Sequence, residues 1–378
     1  MQFANIPGNE KEKSALLYQA REGRVSHAQL FLGPEGSAKF ALAWAFAKYL
    51  LCENPQSNDA CGTCPACHKV GKLVHPDLHF VFPVVLSADK DDKVKSSDDR
   101  LIQWNDFVLK NPYFSLNMWQ EFTESLGKEP VIGVEESRSI LQKLSLKSYS
   151  GKYKLMVVWL PEKMNQAAAN KLLKMLEEPP EETLFLLLCD NMENILPTII
   201  SRTQMLKISP FTSDEIAGYL ESHFSADPSV SYSIAGLAQG SMVEAIQMIT
   251  GDENQHVYFD LFVKMMRTAY AANGLDLMSV SEEIASLNKE QQKNFLRYGL
   301  HLFRESILLN YMKGELVNLR NEERAFLDKF ARFINNQNIV ALNEEFNKAH
   351  YHLERNANAK VLFTDLLIKL TKLIRKGV

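Results

Sequence analysis

The chain has 378 residues, of which 46% are hydrophobic and 23% are charged, and its formal net charge is -4. These values are typical of an ordinary globular protein, exclude a wholly disordered chain, and allow two or three packed domains. They give no overall basic field, so nucleic acid would have to be held by a local patch or by other subunits.

Nothing in the sequence indicates a membrane protein or an exported one. The first residues read Met-Gln-Phe-Ala-Asn-Ile-Pro, without a basic head and an apolar run, and no window approaches 18 uninterrupted apolar residues. We therefore expect a cytoplasmic protein with no membrane partner.

A predicted helix over residues 10–22 precedes a strand over 27–32, a loop, and a helix over 40–51. The loop, residues 33–40, reads Gly-Pro-Glu-Gly-Ser-Ala-Lys-Phe, the outline of a phosphate-binding loop. Gly33, Gly36 and Lys39 remain as candidate nucleotide contacts. However, Ala38 replaces the second glycine and Phe40 replaces the hydroxyl that would hold magnesium. The sequence predicts no nucleotide hydrolysis here and leaves open whether Lys39 still holds an unhydrolysed nucleotide.

Four of the five cysteines are packed closely together in the next segment: Cys52, Cys61, Cys64 and Cys67. Four thiolates at this spacing can close a tetrahedral zinc site with no open position, so we predict a structural Zn²⁺ site within residues 52–67. The alternatives are four unliganded cysteines or a ligand set that includes His68 or His75.

Further apolar runs over residues 78–84, 154–160, 184–189 and 204–208 predict the remaining strands of a buried parallel sheet. The fifth cysteine, Cys189, is expected to be a buried thiol in one of them. Between the second and third strands, residues 87–100 read as a charged, solvated loop. The aromatic stretch over residues 104–119 is either a helical cap on the domain or a contact surface for a partner.

The remainder of the chain is predicted to be helical. Pro210 and the capping signal Thr-Ser-Asp-Glu at 212–215 mark the start of a new unit. We divide the chain into a sheet domain (1–209), a small helical domain (210–252) and an all-helical bundle (253–378).

Several motifs occur together in one order. The altered phosphate loop and the cysteine cluster are followed by Val-His-Pro-Asp at 74–77. Residues 167–180 read Ala-Ala-Ala-Asn-Lys-Leu-Leu-Lys-Met-Leu-Glu-Glu-Pro-Pro, and residues 201–203 read Ser-Arg-Thr. This order resembles the gamma/tau and delta-prime subunits of the bacterial DNA polymerase III clamp loader.

The resemblance implies an α/β fold: an AAA+ P-loop module with a parallel sheet, an inserted zinc knuckle, a small helical lid domain and a helical C-terminal collar domain. It also implies partners, namely gamma/tau and delta subunits in a hetero-pentameric ring that places a sliding clamp on primed DNA.

Aligned with this family, the chain lacks most nucleotide-handling residues. Trp159 and Leu160 stand where active members carry an Asp-Glu pair, and Val243 stands where they carry a sensing arginine. Cys189 and Asp190 occupy the position of a polar sensor, and Glu162 is the one nearby carboxylate that could substitute for the missing pair. Because these losses occur together, they favour the delta-prime type over the active gamma/tau type.

The resemblance keeps one catalytic residue, Arg202, as an arginine finger acting on a neighbour's nucleotide. Its alternative is an arginine that satisfies local carboxylates. The leading hypothesis is a non-hydrolysing ring subunit, with a divergent, active ATPase of the same family as the alternative. A third interpretation is zinc-dependent nucleic-acid binding without a ring.

Overall fold

The structure is a computed structural model that describes residues 1–89, 92–145, 148–149, 153–180, 182–250, 253–311, 319, 321–355 and 357–375. Contacts divide it into two compact units. The sheet unit comprises Met1–Glu215 and Gly240–Glu244, and the helical unit comprises Ile216–Gln239 and Ala245–Val378. The predicted small domain, 210–252, is shared between them, and its boundary falls at residues 251–252, outside the described residues. The three-domain division therefore stays a prediction.

The sheet unit contains the strands and the first helices. Its strands are β1 (Ala28–Leu32), β2 (Leu78–Val81), β3 (Lys154–Trp159), β4 (Thr183–Cys189) and β5 (Gln204–Lys207). Its helices are α1 (Glu10–Arg21), α2 (Lys39–Leu51), α3 (Pro65–Gly71), α4 (Leu101–Lys110), α5 (Leu116–Phe122), α6 (Val134–Ser145), α7 (Gln166–Glu177) and α8 (Pro197–Ile200).

The longer elements in the remaining described residues are also helices. They are α9 (Ser213–Phe224), α10 (Pro228–Leu237), α11 (Met242–Thr250), α12 (Glu253–Ala271), α13 (Gly274–Ala285), α14 (Lys289–Tyr311), α15 (Asn321–Phe330), α16 (Ile339–Glu354) and α17 (Ala359–Arg375). No helix of the described residues has the length and apolar character that crossing a bilayer requires.

The five strands form one parallel sheet in the order β2-β3-β4-β1-β5. Strands β3 and β4 are buried along their whole length, as expected for central strands covered on both faces. Side chains alternate, so Met156 and Val158 pack with α6 and α7 on one face, while Trp159 points to the other. The predicted α/β fold with a parallel sheet and a helical C-terminal region is confirmed.

Two details differ from the sequence prediction. Strand β2 ends at Val81 rather than at residue 84, and Pro83, which has no N–H to donate, lies just beyond its end. Residues 97–100 are not a solvated loop but a 3-10 turn, because the buried Glu136 carboxylate accepts hydrogen bonds from the backbone N–H and hydroxyl of Ser97 at 2.7 and 2.6 Å.

The aromatic stretch caps the domain, as one of its two interpretations predicted. Trp104 of α4 and Trp119 of α5 are fully buried, with ring centroids 5.4 Å apart, and Trp104 stacks on Phe82 at 4.1 Å. These rings cover the sheet face that α6 and α7 leave open. The insertion is thus part of the core of the sheet unit.

Candidate functional site

The altered phosphate loop follows β1 and lies at the carboxyl edge of the sheet. The Gly33 N–H donates to the Cys189 carbonyl at 3.2 Å, and the Leu160 N–H donates to the Leu188 carbonyl at 2.9 Å. The ends of β1, β3 and β4 therefore meet at one place. In open parallel sheets this edge is where ligands bind.

Both loop glycines are required by contacts within the protein. Gly36 has φ +79°, and a Cβ there would lie 2.0 Å from the Ser241 hydroxyl oxygen. The Gly36 carbonyl accepts a hydrogen bond from the Met242 N–H at 3.0 Å. A Cβ on Gly33 would lie 2.7 Å from the Ile208 carbonyl oxygen. The glycines thus have a packing reason to persist without any nucleotide.

Lys39 is buried, and acceptors of this chain surround its ammonium. Its Nζ lies 2.7 Å from a carboxylate oxygen of Asp190 and donates to the carbonyl oxygens of Gly33 and Pro34, each at 2.6 Å, and to the Ser37 hydroxyl at 3.2 Å. An ammonium has three N–H donors, so these acceptors saturate it. In an active phosphate loop the same group reaches a phosphate. Here the Asp190 carboxylate supplies the negative charge.

Aromatic rings pack together beside the loop, at positions 40 and 159, where the sequence comparison with active members led us to expect no magnesium ligands. The Phe40 ring lies 4.9 Å from Phe114, and Trp159 lies 5.1 Å from Phe114 and 5.2 Å from Trp104. Leu160, which follows Trp159, is also buried. Hard cations bind oxygen ligands, and none of these side chains offers one. This part of the site is a hydrophobic core.

One oxygen of the Glu162 carboxylate is held by the backbone, whereas its Oε2 is buried without a hydrogen-bond partner among the described residues. Its Oε1 accepts hydrogen bonds from the Asp190 and Asn191 backbone N–H groups at 2.8 and 3.3 Å. Burial raises the pKa of this carboxyl above its usual range. The side chain therefore fixes the loop that presents Asp190 to Lys39.

The space left at the loop is about 20 Å³. Glu35, Gly36, Lys39, Tyr113, Phe114, Trp159 and Asp190 are among the residues that line it. A volume of that size holds about one water molecule, whereas pockets for drug-sized ligands have roughly 300 Å³ or more. The cavity beside Lys39 is therefore well below the size of such a pocket. Val243, at the position of the sensing arginine, is a buried apolar residue near the start of α11.

The four predicted cysteines come together as one cluster. All four sulfur atoms lie within 4.8 Å of one another, with Cys52 and Cys64 separated by 4.0 Å and Cys61 and Cys67 by 3.9 Å. Four sulfurs at about 2.3 Å from a tetrahedrally coordinated ion would be separated by somewhat less than 4 Å. The donor set can therefore hold a metal ion with very small adjustments. His75 is buried elsewhere, where its Nδ1 accepts from the Asp77 N–H.

Backbone groups orient the thiols before any ion binds. The N–H groups of Cys61, Cys64 and Cys67 donate to the sulfurs of Cys52, Cys61 and Cys64 at 3.3 to 3.4 Å. Such bonds favour the thiolate, and backbone hydrogen bonds lower the pKa of Cys61 to about 6. Pro65 begins α3 directly after Cys64, which sets the turn between the last two ligands.

Arg202 lies on the surface after α8. Its guanidinium contacts a carboxylate oxygen of Glu177 at 2.7 Å and donates to the Thr198 carbonyl at 3.0 Å. Both charged side chains are more than one third exposed, and exposed ion pairs contribute only about 0–1 kcal/mol. Releasing this guanidinium toward another molecule would therefore cost little.

Sequence reasoning missed two features of the site. It treated Asp190 only as a position that lacks the usual polar sensor, although its carboxylate is the partner of Lys39. It also found no chemistry in the aromatic insertion, although Phe114 fills the space beside Phe40. The only available signal was the simultaneous loss of a hydroxyl at 40 and of carboxylates at 159 and 160.

The chain is similar in sequence to subunits of DNA polymerase III. Residues 8–212 match the family described as DNA polymerase III, delta subunit. The chain is 25% identical to the delta' subunit of DNA polymerase III from Escherichia coli over 371 residues, covering 97% of this chain and 95% of that protein. It is 22% identical to the tau subunit from Bacillus subtilis, covering 97% of this chain and 61% of tau. Among solved structures, a gamma subunit-related protein from Thermotoga maritima matches with a TM-score of 0.34 and 14% identity, covering 96% of this chain and all of that one.

Substitutions at Lys39 and Asp190 test whether their contact is a stabilising pair. We expect Asp190→Asn to lower the free energy of unfolding by about 1–3 kcal/mol, because it leaves a buried ammonium without its charged partner. Lys39→Met added to Asp190→Asn should cost less than the sum of the two single changes. Urea denaturation of the four proteins measures the coupling energy.

The matched control is the exposed pair of Glu135 and Arg138 on α6, whose nearest atoms are 3.0 Å apart. Neutralising these two residues in the same way should give a coupling energy near zero. A Lys39–Asp190 coupling no larger than this control would contradict the assignment.

Proposed function

Because the chain belongs to the DNA polymerase III delta subunit family, where its relatives include delta-prime subunits, we propose that it is a clamp-loader subunit that does not hydrolyse ATP itself. The observation that carries this proposal is the closed phosphate loop. The Asp190 carboxylate forms an ion pair with the Lys39 ammonium. The cavity beside the loop has a volume of about 20 Å³. The role of such a subunit is structural, and its chemistry is exerted on a neighbour.

Hydrolysis needs a cradle for phosphates, a metal ion and a positioned water. The loop backbone is packed against Ser241 and Met242, and rings of Phe40, Phe114 and Trp159 fill the metal position. The alternative, a divergent ATPase that retains Lys39, would require these groups to separate and Asp190 to release the lysine. Nothing in the site favours it.

The chemical contribution that we propose for this chain is Arg202 acting in trans. A guanidinium placed at a neighbour's nucleotide stabilises the charge that develops on the transferred phosphoryl group. Support comes from its place on the surface of the sheet unit and from its weak, exposed pairing with Glu177. A buried arginine, or one with all of its N–H donors hydrogen-bonded, could not be moved toward a neighbouring subunit at such a low cost in free energy. Glu177 would hold the side chain in position until the neighbour binds nucleotide.

We further propose that the cysteine cluster holds a structural zinc ion. Four soft thiolate donors within bonding distance of one centre match zinc and leave no position for water or substrate. The site would stiffen the connection from α2 to α3, where the Trp44 indole N–H also donates to the Val70 carbonyl at 2.9 Å. When bound, the ion would supply cross-linking rather than catalysis.

The partners follow from the same family. We propose gamma/tau and delta subunits as neighbours in a five-membered ring in the cytoplasm, with the helical C-terminal domain as the collar. The sliding clamp and primed DNA would be reached through the complex. With a net charge of -4, the chain has no overall field that would hold DNA on its own.

Substitution of Arg202 tests the proposed role in trans. In a complex reconstituted with gamma/tau and delta, Arg202→Ala should leave assembly intact and slow hydrolysis at the neighbouring site on the order of 1,000-fold, because a transition-state charge loses its partner. The ATPase rate of the whole complex, measured with clamp and primed DNA, should fall by at least the fraction of total turnover that the neighbouring site contributes.

Arg138→Ala is the control, since Arg138 is another exposed arginine of the sheet unit in an ion pair. It should leave turnover unchanged. Full turnover by an assembled Arg202→Ala complex would rule out the finger assignment.

Elemental analysis tests the metal site. The protein purified without chelator should contain about one zinc ion per chain, and Cys64→Ser should lose most of it. Cys189→Ala is the matched control, because Cys189 is a buried thiol in β4 outside the cluster, and it should keep the ion. Acid should release zinc as the thiolates become protonated. A metal-free wild-type protein that melts at the same temperature with and without added zinc would contradict the proposal.

A further inference from the structure

The helical unit contains a pocket that the proposed function does not use. It has a volume of about 280 Å³ and lies between α12, α15, the 3-10 turn Ala331–Phe333 and the end of α17. Its apolar wall consists of Met266, Tyr270, Phe326, Phe330, Phe333 and Ile374. We call it the aromatic pocket.

Four aromatic rings give the pocket its shape. Phe326 and Phe330 stack at 5.1 Å with their planes 18° apart, and Tyr270 meets Phe333 edge to face at 5.4 Å. Met266 and Ile374 are almost fully buried, whereas Tyr270 is 49% exposed. The pocket is therefore a concavity with a floor fixed by core packing and an open mouth. This is the form of a site that accepts one large apolar side chain.

Positive charge surrounds the mouth. Arg267, Lys329 and Arg332 line the pocket and are exposed. Within the described ranges none of the three forms an ion pair with a carboxylate. The nearby Asp328 lies 3.5 Å from Arg324 instead. The Arg332 guanidinium lies 4.9 Å from the centre of the Phe333 ring, so charge and apolar wall are directly adjacent.

We propose that the aromatic pocket binds an acidic peptide segment of a partner protein. The segment would place one aromatic or long aliphatic side chain between the rings and set aspartate or glutamate carboxylates against the three cations. Charge complementarity carries the choice. Three cations without a carboxylate partner among the described residues gather at one apolar mouth, on a chain whose net charge is -4. Apolar anchoring supplies affinity, and the cations select acidic flanks.

Single-stranded nucleic acid fits the pocket less well. Base stacking uses ring faces on an exposed platform, whereas here the rings stand in the wall of a cavity beside Met266 and Ile374. A base inserted there would bury its polar edges among these apolar side chains, which is unfavourable for each group left without a hydrogen bond. A peptide side chain carries no such edges.

Fluorescence anisotropy of the full chain tests the proposal directly. The probe is a fluorescein-labelled peptide of aspartate and glutamate residues around one central phenylalanine, and it should bind saturably. A peptide with alanine at the centre and one with lysines in place of the acids should bind at least about tenfold more weakly, because each lacks one of the two contacts.

Three variants locate the binding. Lys329→Glu combined with Arg332→Glu reverses two exposed charges, and Phe333→Ala removes part of the wall, and each should weaken the phenylalanine peptide at least about tenfold. Arg355→Glu changes an exposed cation of the same unit outside the pocket and should leave affinity unchanged. Thermal melts show whether each variant is folded. Lys329→Glu and Arg332→Glu change exposed side chains, so the test remains valid even if Phe333→Ala unfolds.

Four outcomes would overturn the proposal: no saturable binding of the acidic peptide, equal binding of the alanine-centred peptide, binding unaffected by the rim charges, or tighter binding of oligothymidylate that the same variants abolish. Self-association of the full chain that the rim variants abolish would assign the pocket to a second copy instead. None of these results depends on Arg202, so the proposal fails separately from the proposed function.

Discussion

The contact between Lys39 and Asp190 is the interaction on which the account of this molecule depends. A buried ammonium requires a negative partner, and in a phosphate loop that partner is normally a ligand. Here it comes from the end of β4, at 2.7 Å, and the half-buried Glu162 fixes the backbone that presents it. Once the charge is satisfied internally, the loop needs no nucleotide to be stable, and the adjoining space can be filled by rings. The loop persists as a part of the fold.

Helix α2 connects the closed loop with the rest of the sheet unit. Every residue of α2 is buried, from Lys39 at its start to Leu51 at its end, and Cys52 follows directly. A helix of this length spans about 20 Å. It connects the loop at the carboxyl edge of the sheet with the cysteine cluster. Rigidity at both ends would suit the proposed role, in which Arg202 is held in a fixed position for a neighbouring subunit.

Much of the fold and the cysteine cluster could be predicted from the sequence, because the patterns that indicate them lie within short segments of the chain. Apolar runs identified the five strands, and the spacing of Cys52, Cys61, Cys64 and Cys67 identified the cluster. Side-chain pairing could not be predicted, since Asp190 lies 151 positions from Lys39 and only the parallel order of β1 and β4 brings the two together. The sequence left two interpretations of the aromatic stretch open, and the burial of Trp104 and Trp119 decides for the helical cap. The charge pattern suggested a solvated loop over residues 87–100, whereas burial of Glu136 against Ser97 makes residues 97–100 a 3-10 turn.

The most direct test of the central claim is calorimetric titration of the isolated chain with ATP and with ADP in the presence of magnesium. If the chain's own residues close the site, neither nucleotide should produce saturable heat, and Lys39→Met should behave like the wild type. Saturable, magnesium-dependent binding that Lys39→Met abolishes would contradict the account. It would show that Asp190 yields the lysine to phosphate and that the aromatic residues move aside.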